Sequence, residues 1–213
     1  GLGDVYKRQK YDRTKMALEH GIDLVIELPV IAATSSAETF AQGGVCLLDS
    51  LGVVSHISFG AEANTTSDID MLDKLADFFA FEPPAFQKYL DLELKSGCSF
   101  PAARAKAAVL CLQQMAFDSM NTDTVAQLER LLASPNNILA IEYMKAIRRQ
   151  NLKLTPSVVT RNGAGYHDTD TDTELASASA LRKFIFQDNS CQETDPEALN
   201  QMLTRTVPDS VRE

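Results

Sequence analysis

The side chains able to hold a small polar ligand are gathered into four short stretches. In SFGAE a strand-like run ends near Gly60, where a residue without a side chain lets a flat ring or a ribose lie against the backbone. A tight strand-to-loop turn would use glycine equally well. In SPNNIL, Ser134 is suited to cap a helix and Pro135 to its first turn, and Asn136 and Asn137 follow as a pair. Two consecutive asparagines exceed what one cap needs. One amide can cap while the other donates to and accepts from a base edge or ribose, unless both only organise the helix start. In TRNGAGYHD a fixed cation, Arg161, precedes Gly163 and Gly165, and its planar guanidinium can clamp phosphate at two points. In ELASASALRK, Ser177 and Ser179 precede Arg182 at an expected helix N-terminus. Free N–H groups, hydroxyls and the helix dipole favour a phosphate there, and plain capping by Ser177 is the competing reading.

Other residue types carry less. His167 has the chemistry of a proton carrier, but a histidine in a polar loop is more often solvated. The alternation Asp168, Asp170, Asp172 resembles the start of a calcium loop and lacks its turn glycine and its twelfth-position glutamate, which excludes an EF-hand. Cys46, Cys98, Cys111 and Cys191 form no C-x-x-C pair and have no histidine at ligand spacing, so they read as reduced, mostly buried thiols. A net charge of −9 argues against indiscriminate nucleic-acid binding, because neutralising phosphates needs clustered Lys and Arg. Arg104 with Lys106, the run Arg148, Arg149 and Lys153, and Arg182 with Lys183 form either a local basic patch or ordinary solvated helix faces. No apolar run approaches the roughly 20 residues that cross a bilayer, and no secretory leader opens the chain, so a cytoplasmic address is expected.

The elements that must position these stretches are legible in outline. GLGDVYKRQ, residues 1–9, has no hydrophobic period and reads as a non-native leader. A short helix is expected up to His20, with Gly21 suited to the left-handed position that ends it. Leu24 to Ile26, stopped by Pro29, reads as a parallel strand covered on both faces. Ser35 with Glu38 fits a capping box for a helix over 37–48 that keeps Phe40, Val45 and Leu48 on one face. VVSHISFG repeats the strand signal. Strand, helix, strand makes one right-handed βαβ unit, and the fold class is α/β. In open parallel sheets ligands bind beyond the carboxyl ends of the strands, which selects Glu27 to Pro29 and Phe59 to Glu62. Helical signals follow over 71–79, 86–94, 102–115, 124–132 and 138–147. LKLTPSVV, residues 152–159, contains Pro156 and reads as a short or edge strand. The implied organisation is a partial α/β core over 10–80, a helical elaboration over 81–150, and a return to the nucleotide site over 151–190. Residues 191–213 begin a truncated helical region.

In order, YDRTKMALEHGIDLVIELP, ISFGAE, SPNNILAIEYMKA, TRNGAGYHD and SASALRK resemble the tRNA(Met) cytidine acetate ligases over about residues 10–190. That resemblance implies a Rossmann-like nucleotidylyltransferase sheet, incomplete here, with a helical elaboration. It implies activation of acetate with ATP to acetyl-adenylate and transfer of acetyl to N4 of the wobble cytidine of elongator tRNA(Met), with Mg2+ accompanying the ATP. It places the ATP contacts at Gly60, Asn136 and Arg161. SASALRK is also similar to the Ser-Ser-Thr-x-Ile-Arg signature of the wider nucleotidylyltransferases, which makes Ser177, Ser179 and Arg182 phosphate contacts, with Ala178 replacing one serine. The family's Asn-Pro-Phe-His-x-Gly-His loop and Gln-Arg-Gly-Glu-Pro stretch are missing, and a C-terminal portion is expected to be absent. This polypeptide alone is therefore expected to bind ATP weakly and to have no ligase activity, with one sheet edge left unpaired. An adenylyltransferase of cofactor biosynthesis and a non-catalytic nucleotide- or tRNA-binding module are the rival readings. The PNNIL and GYHD segments speak against the first.

Overall fold

The computed structural model describes residues 9–116 and 120–160. They fall into two compact units, one holding residues 9–27 and the other the remainder. Arg161, His167, Ser177, Ser179 and Arg182 lie outside the described residues, as do Cys191 and the expected helical regions after residue 160.

In the first unit, helix α1 spans Lys10–Glu19. Asp12 accepts the Gln9 N–H at its start, at 3.3 Å. Gly21, at φ +89°, turns the chain away at its end, as the sequence predicts. The strand expected over residues 24–26 does not form, and that segment carries no regular structure. Leu24, Val25 and Ile26 stay solvent-accessible, Leu24 at 63%. An apolar run becomes a strand only by hydrogen bonding to a neighbour, and no described segment pairs with this one. Glu27, at the end of the run, instead binds Lys10 Nζ at 2.9 Å.

The second unit opens with α2, Val30–Ala33, and α3, Ala37–Ser50. Ser36 caps α3 by accepting the Thr39 N–H, whereas Ser35 donates to the Ile31 carbonyl. The expected Ser35 and Glu38 capping box therefore does not form: the cap moves to Ser36, and Glu38 is recruited by Lys145 and Arg149 of another helix. Gly43 lets α3 pass close to α2, since a Cβ there would sit 2.6 Å from the Ala32 Cβ. Strand β1, His56–Ala61, is followed by α4, Thr66–Phe81, α5, Pro84–Lys95, and α6, Phe100–Met115. Helices α7, Thr122–Ala133, and α8, Pro135–Arg149, then lead to β2, Thr155–Thr160. Each helical signal between residues 71 and 147 thus marks a helix, several of them opened by proline in the first turn.

β1 and β2 pair in parallel, from His56 opposite Thr155 to Ala61 opposite Thr160. The chain is α/β, as expected, but the parallel pair is not the local unit anticipated between residues 24 and 60. The return path between its strands is the whole helical elaboration, α4 to α8. Pro156 is accommodated within β2, opposite Ile57.

Helix α8 organises the interior. Ala140, Ile141 and Met144 join the main core with α4 to α7, which Phe79, Leu72, Leu75, Leu128 and Leu131 dominate. Ala146 and Ile147 join a second cluster with Val45, Ile57 and Leu154. Phe59 of β1 touches both clusters and meets the Tyr143 ring at a centroid distance of 5.2 Å. This packing ties the sheet to the middle and C-terminal half of α8.

Candidate functional site

β1 delivers Gly60 one residue short of the strand's carboxyl end, opposite Val159 of β2. Gly60 is exposed and is not among the glycines with positive φ, so it is not the turn residue of the competing reading. Glycine weakens a strand interior, and its common use in one is to let another group approach the backbone.

Beyond Gly60, Ala61 and Ala63 are fully buried, while Glu62 between them is held by the start of α8. Asn137 closes on the Glu62 peptide group at two points. Its Oδ1 accepts the Glu62 N–H at 2.8 Å, and its Nδ2 donates to the Glu62 carbonyl at 3.4 Å. Asn136 Nδ2 donates to Glu62 Oε1 at 2.7 Å. Neither asparagine caps α8: Ser134 does, accepting the Asn137 N–H at 3.5 Å. One asparagine is thus a buried tie, 1% exposed, and the other a half-buried side chain whose amide oxygen has no partner among the described residues.

The loop after Glu62 is pinned at its far end as well. Asp68, 2% exposed in the first turn of α4, accepts the Asn64 N–H at 2.9 Å and a bond from Gln127 at 2.8 Å, and it pairs with Arg130. Burial pushes its carboxyl up, but the bonds from Gln127 and the Asn64 N–H and the Arg130 charge outweigh that and hold it below its ordinary 3.8. Residues 62–64 therefore form a fixed ledge where the strands end.

A different polar cluster lies on another face of α8. Glu142 and Lys145, 2% and 5% exposed, pair at 2.8 Å; Glu142 also meets Arg104 at 2.6 Å, and Lys145 meets Glu38 at 2.7 Å. The Arg104 guanidinium lies 3.9 Å from the Phe79 ring centroid. The Lys145 bond, with help from Arg149 and Arg104 and against the pull of burial, holds the Glu38 carboxyl below its ordinary value. These groups edge a cavity of about 520 Å³ whose other walls include Phe79, Phe86, Leu90 and Leu132. The basic run at the end of α8 is similarly committed. Arg148 binds Asp73 and Asp77, each at 2.6 Å, and Arg149 binds Glu38 and Glu82 at 3.1 and 3.2 Å. With Lys106 beside Glu93 at 3.5 Å, the expected basic residues 104, 106, 148 and 149 are interhelical ties, while Lys153 is exposed and Arg182 and Lys183 lie outside the described residues.

Of the residues singled out from sequence, Gly60 and Asn136 come together at one end of the sheet, through Glu62. Sequence reasoning placed Glu62 at the ligand end of the strand but missed its bond to Asn136 and the clamping role of Asn137, because the bond between Glu62 and Asn136 spans 74 residues. The doubled asparagine was the available signal. Among the described thiols Cys111 is fully buried, and burial raises its pKa, while Cys46 and Cys98 are only half-buried. Among the described residues no group of three His, Cys, Asp or Glu side chains is gathered as for a metal, and no helix is long and apolar enough to cross a membrane.

The HIGH Nucleotidyl Transferase family model matches residues 7–212. The chain is 46% identical over 200 residues to a tRNA(Met) cytidine acetate ligase of Clostridium perfringens, an alignment covering 92% of this chain and 48% of that protein. A Thermoanaerobacter protein of the same name is 46% identical over 178 residues, covering 84% and 41%. Among solved structures, Thermotoga maritima TmcAL bound with alpha-thio ATP matches with a TM-score of 0.72 at 31% identity, covering 94% of this chain and 42% of that one. The chain spans about half the length of the curated relatives it matches.

Proposed function

The chain belongs to the HIGH nucleotidyl transferase family, and on that premise we propose that it is the nucleotide-binding part of a tRNA(Met) cytidine acetate ligase acting in the cytoplasm. Both curated relatives described above carry that name, and TmcAL of Thermotoga maritima was solved with an ATP analogue. In the proposed reaction an acetate oxygen attacks the α-phosphorus of ATP and pyrophosphate departs. The N4 amine of the wobble cytidine of elongator tRNA(Met) then attacks the acetyl carbonyl, forming the C–N bond as AMP leaves, and the amine's proton passes to a base.

Gly60 gives the adenosine a bare backbone to lie against, Asn136 offers an amide to its polar edge, and Arg161 pairs with phosphate. Ser177, Ser179 and Arg182 form a further phosphate site. Mg2+ arrives with the triphosphate as part of the substrate. The single observation that carries this reading is the joining of the end of β1 to the first turn of α8 through Glu62, which brings Gly60 and Asn136 to one rim of the sheet.

The test is acetate-dependent exchange of pyrophosphate into ATP by the complete gene product. Acetate is expected to stimulate exchange. Gly60→Val and Asn136→Ala are each expected to weaken ATP binding about tenfold or more, the loss of one good contact. Exchange that ignores acetate would remove the ligase assignment.

A further inference from the structure

Asn136 has an amide that can face a ligand in either of two senses, and the choice decides which base it accepts. A carboxylate only accepts hydrogen bonds, so the group that Asn136 turns toward Glu62 must be its NH2. The 2.7 Å contact between Asn136 Nδ2 and Glu62 Oε1 therefore sets the amide's polarity by chemistry. The amide oxygen is turned from Glu62 and, among the described residues, is left as an acceptor, with one N–H of the same nitrogen uncommitted among them as well.

Glu62 can impose that polarity because it is itself immobilised. Its peptide N–H and carbonyl are both engaged by Asn137, a side chain 1% exposed, and the next loop residues are fixed by Asp68 on Asn64. A glutamate on a loose loop would turn with the amide it contacts. Here a buried neighbour clamps its backbone, so reversing the Asn136 amide would set its oxygen against a carboxylate oxygen.

We propose that Glu62 is a positioning residue that makes the nucleotide site selective for a 6-amino purine, by holding Asn136 with its amide oxygen presented to the base. Adenine offers a 6-amino donor to that oxygen, and the spare N–H serves an adjacent ring nitrogen. Hypoxanthine and guanine carry a 6-oxo acceptor at the same place, which would meet oxygen with oxygen. This rests on the reading of Asn136 as a nucleotide contact and adds the atom that chooses among nucleotides.

ATP and ITP are suitable probes because they differ at the 6-position of the base and in the ring-nitrogen proton that follows from it. Binding of each is measured by calorimetry on the complete gene product, wild type and Glu62→Gln, with thermal melting to establish that the variant is folded. Glutamine can donate as well as accept, so it permits the Asn136 amide to turn over without emptying the site. Wild type is expected to prefer ATP by about tenfold or more, the discrimination of one well-made base contact. Glu62→Gln is expected to shrink that preference by about threefold to tenfold, chiefly by tighter ITP binding, which no general loosening of the fold produces.

A wild type that binds ATP and ITP equally would overturn the inference while leaving the nucleotide site standing, as would an unchanged preference in the folded variant. A variant that loses affinity for both in equal proportion would also overturn it, since Glu62 would then be only a structural support. Wild type that binds neither nucleotide removes the underlying reading together with the inference.

Discussion

Helix α8 presents two polar regions built on opposite principles. At its first turn, neutral amides reach for a strand end: Asn137 grips a peptide group and Asn136 a single carboxylate oxygen. Farther along, Glu142 and Lys145 are nearly inaccessible and are matched charge for charge with Arg104 and Glu38 from neighbouring helices. An amide can be half used, because each bond is separate and the remaining lone pair or N–H is affordable in partial contact with water. A buried charge must have opposite charges at contact distance to offset its desolvation, and here Arg104 Nη2 and Glu142 Oε2 rely on ion pairing alone, without hydrogen-bond geometry. The first arrangement leaves a group for a ligand, and the second closes on itself and holds helices in register.

The contrast is sharpest under substitution. Glu142→Leu leaves Arg104 without its carboxylate and Lys145 with Glu38 alone, and is expected to destabilise the protein by about 3–5 kcal/mol, read from urea unfolding. Replacing all three together, by Arg104→Met, Glu142→Leu and Lys145→Met, should recover most of that loss, since a well-packed apolar trio avoids the desolvation altogether. If the triple variant is no better than the single one, the cluster is not the self-cancelling tie described above.

Asn137→Ala tests the neutral side of the comparison. It leaves the Glu62 N–H and carbonyl without their partner and is expected to cost about 1–3 kcal/mol, less than the charged case because no ion is stranded. A loss as large as that of Glu142→Leu would erase the distinction between the two regions.

The smallest effect concerns the ledge at the strand ends and is a matter of pH. The folded Asp68 carboxyl titrates below its ordinary 3.8, so its stabilisation is complete above that value and fades as pH falls through the lower folded value. The stability gap between wild type and Asp68→Asn should therefore stay level from neutral pH to about 5 and narrow as pH drops below about 4. A gap that widens in acid would mean the carboxyl is raised rather than lowered by its surroundings.

Much of the helical part was legible along the chain. Prolines at helix starts, the repeat of apolar residues every three or four positions, and Ser134 as a cap are local signals, and the helices formed where they pointed. The strand predicted over residues 24–26 failed because an apolar run reports only a wish to be buried. Pairing needs a partner edge, which no local pattern contains. The displaced cap of α3 is a smaller case of the same kind: Ser35 and Ser36 are equivalent in sequence, and the bond of Ser35 back to Ile31 leaves Ser36 for the cap. The basic residues at 104, 106, 148 and 149 misled for a related reason, since the carboxylates that neutralise them come from other helices.

From its order of residues alone this chain determined β1, the helices between β1 and β2, and the two short stretches where Gly60 and Asn136 stand, because each of these depends on neighbours within a few positions. Only the tertiary structure decided that β1 pairs across the entire helical elaboration with β2, and that Glu62 and Asn136 meet. Contacts between groups so far apart along the chain form only once a core has brought their elements together, and here that core is built around α8.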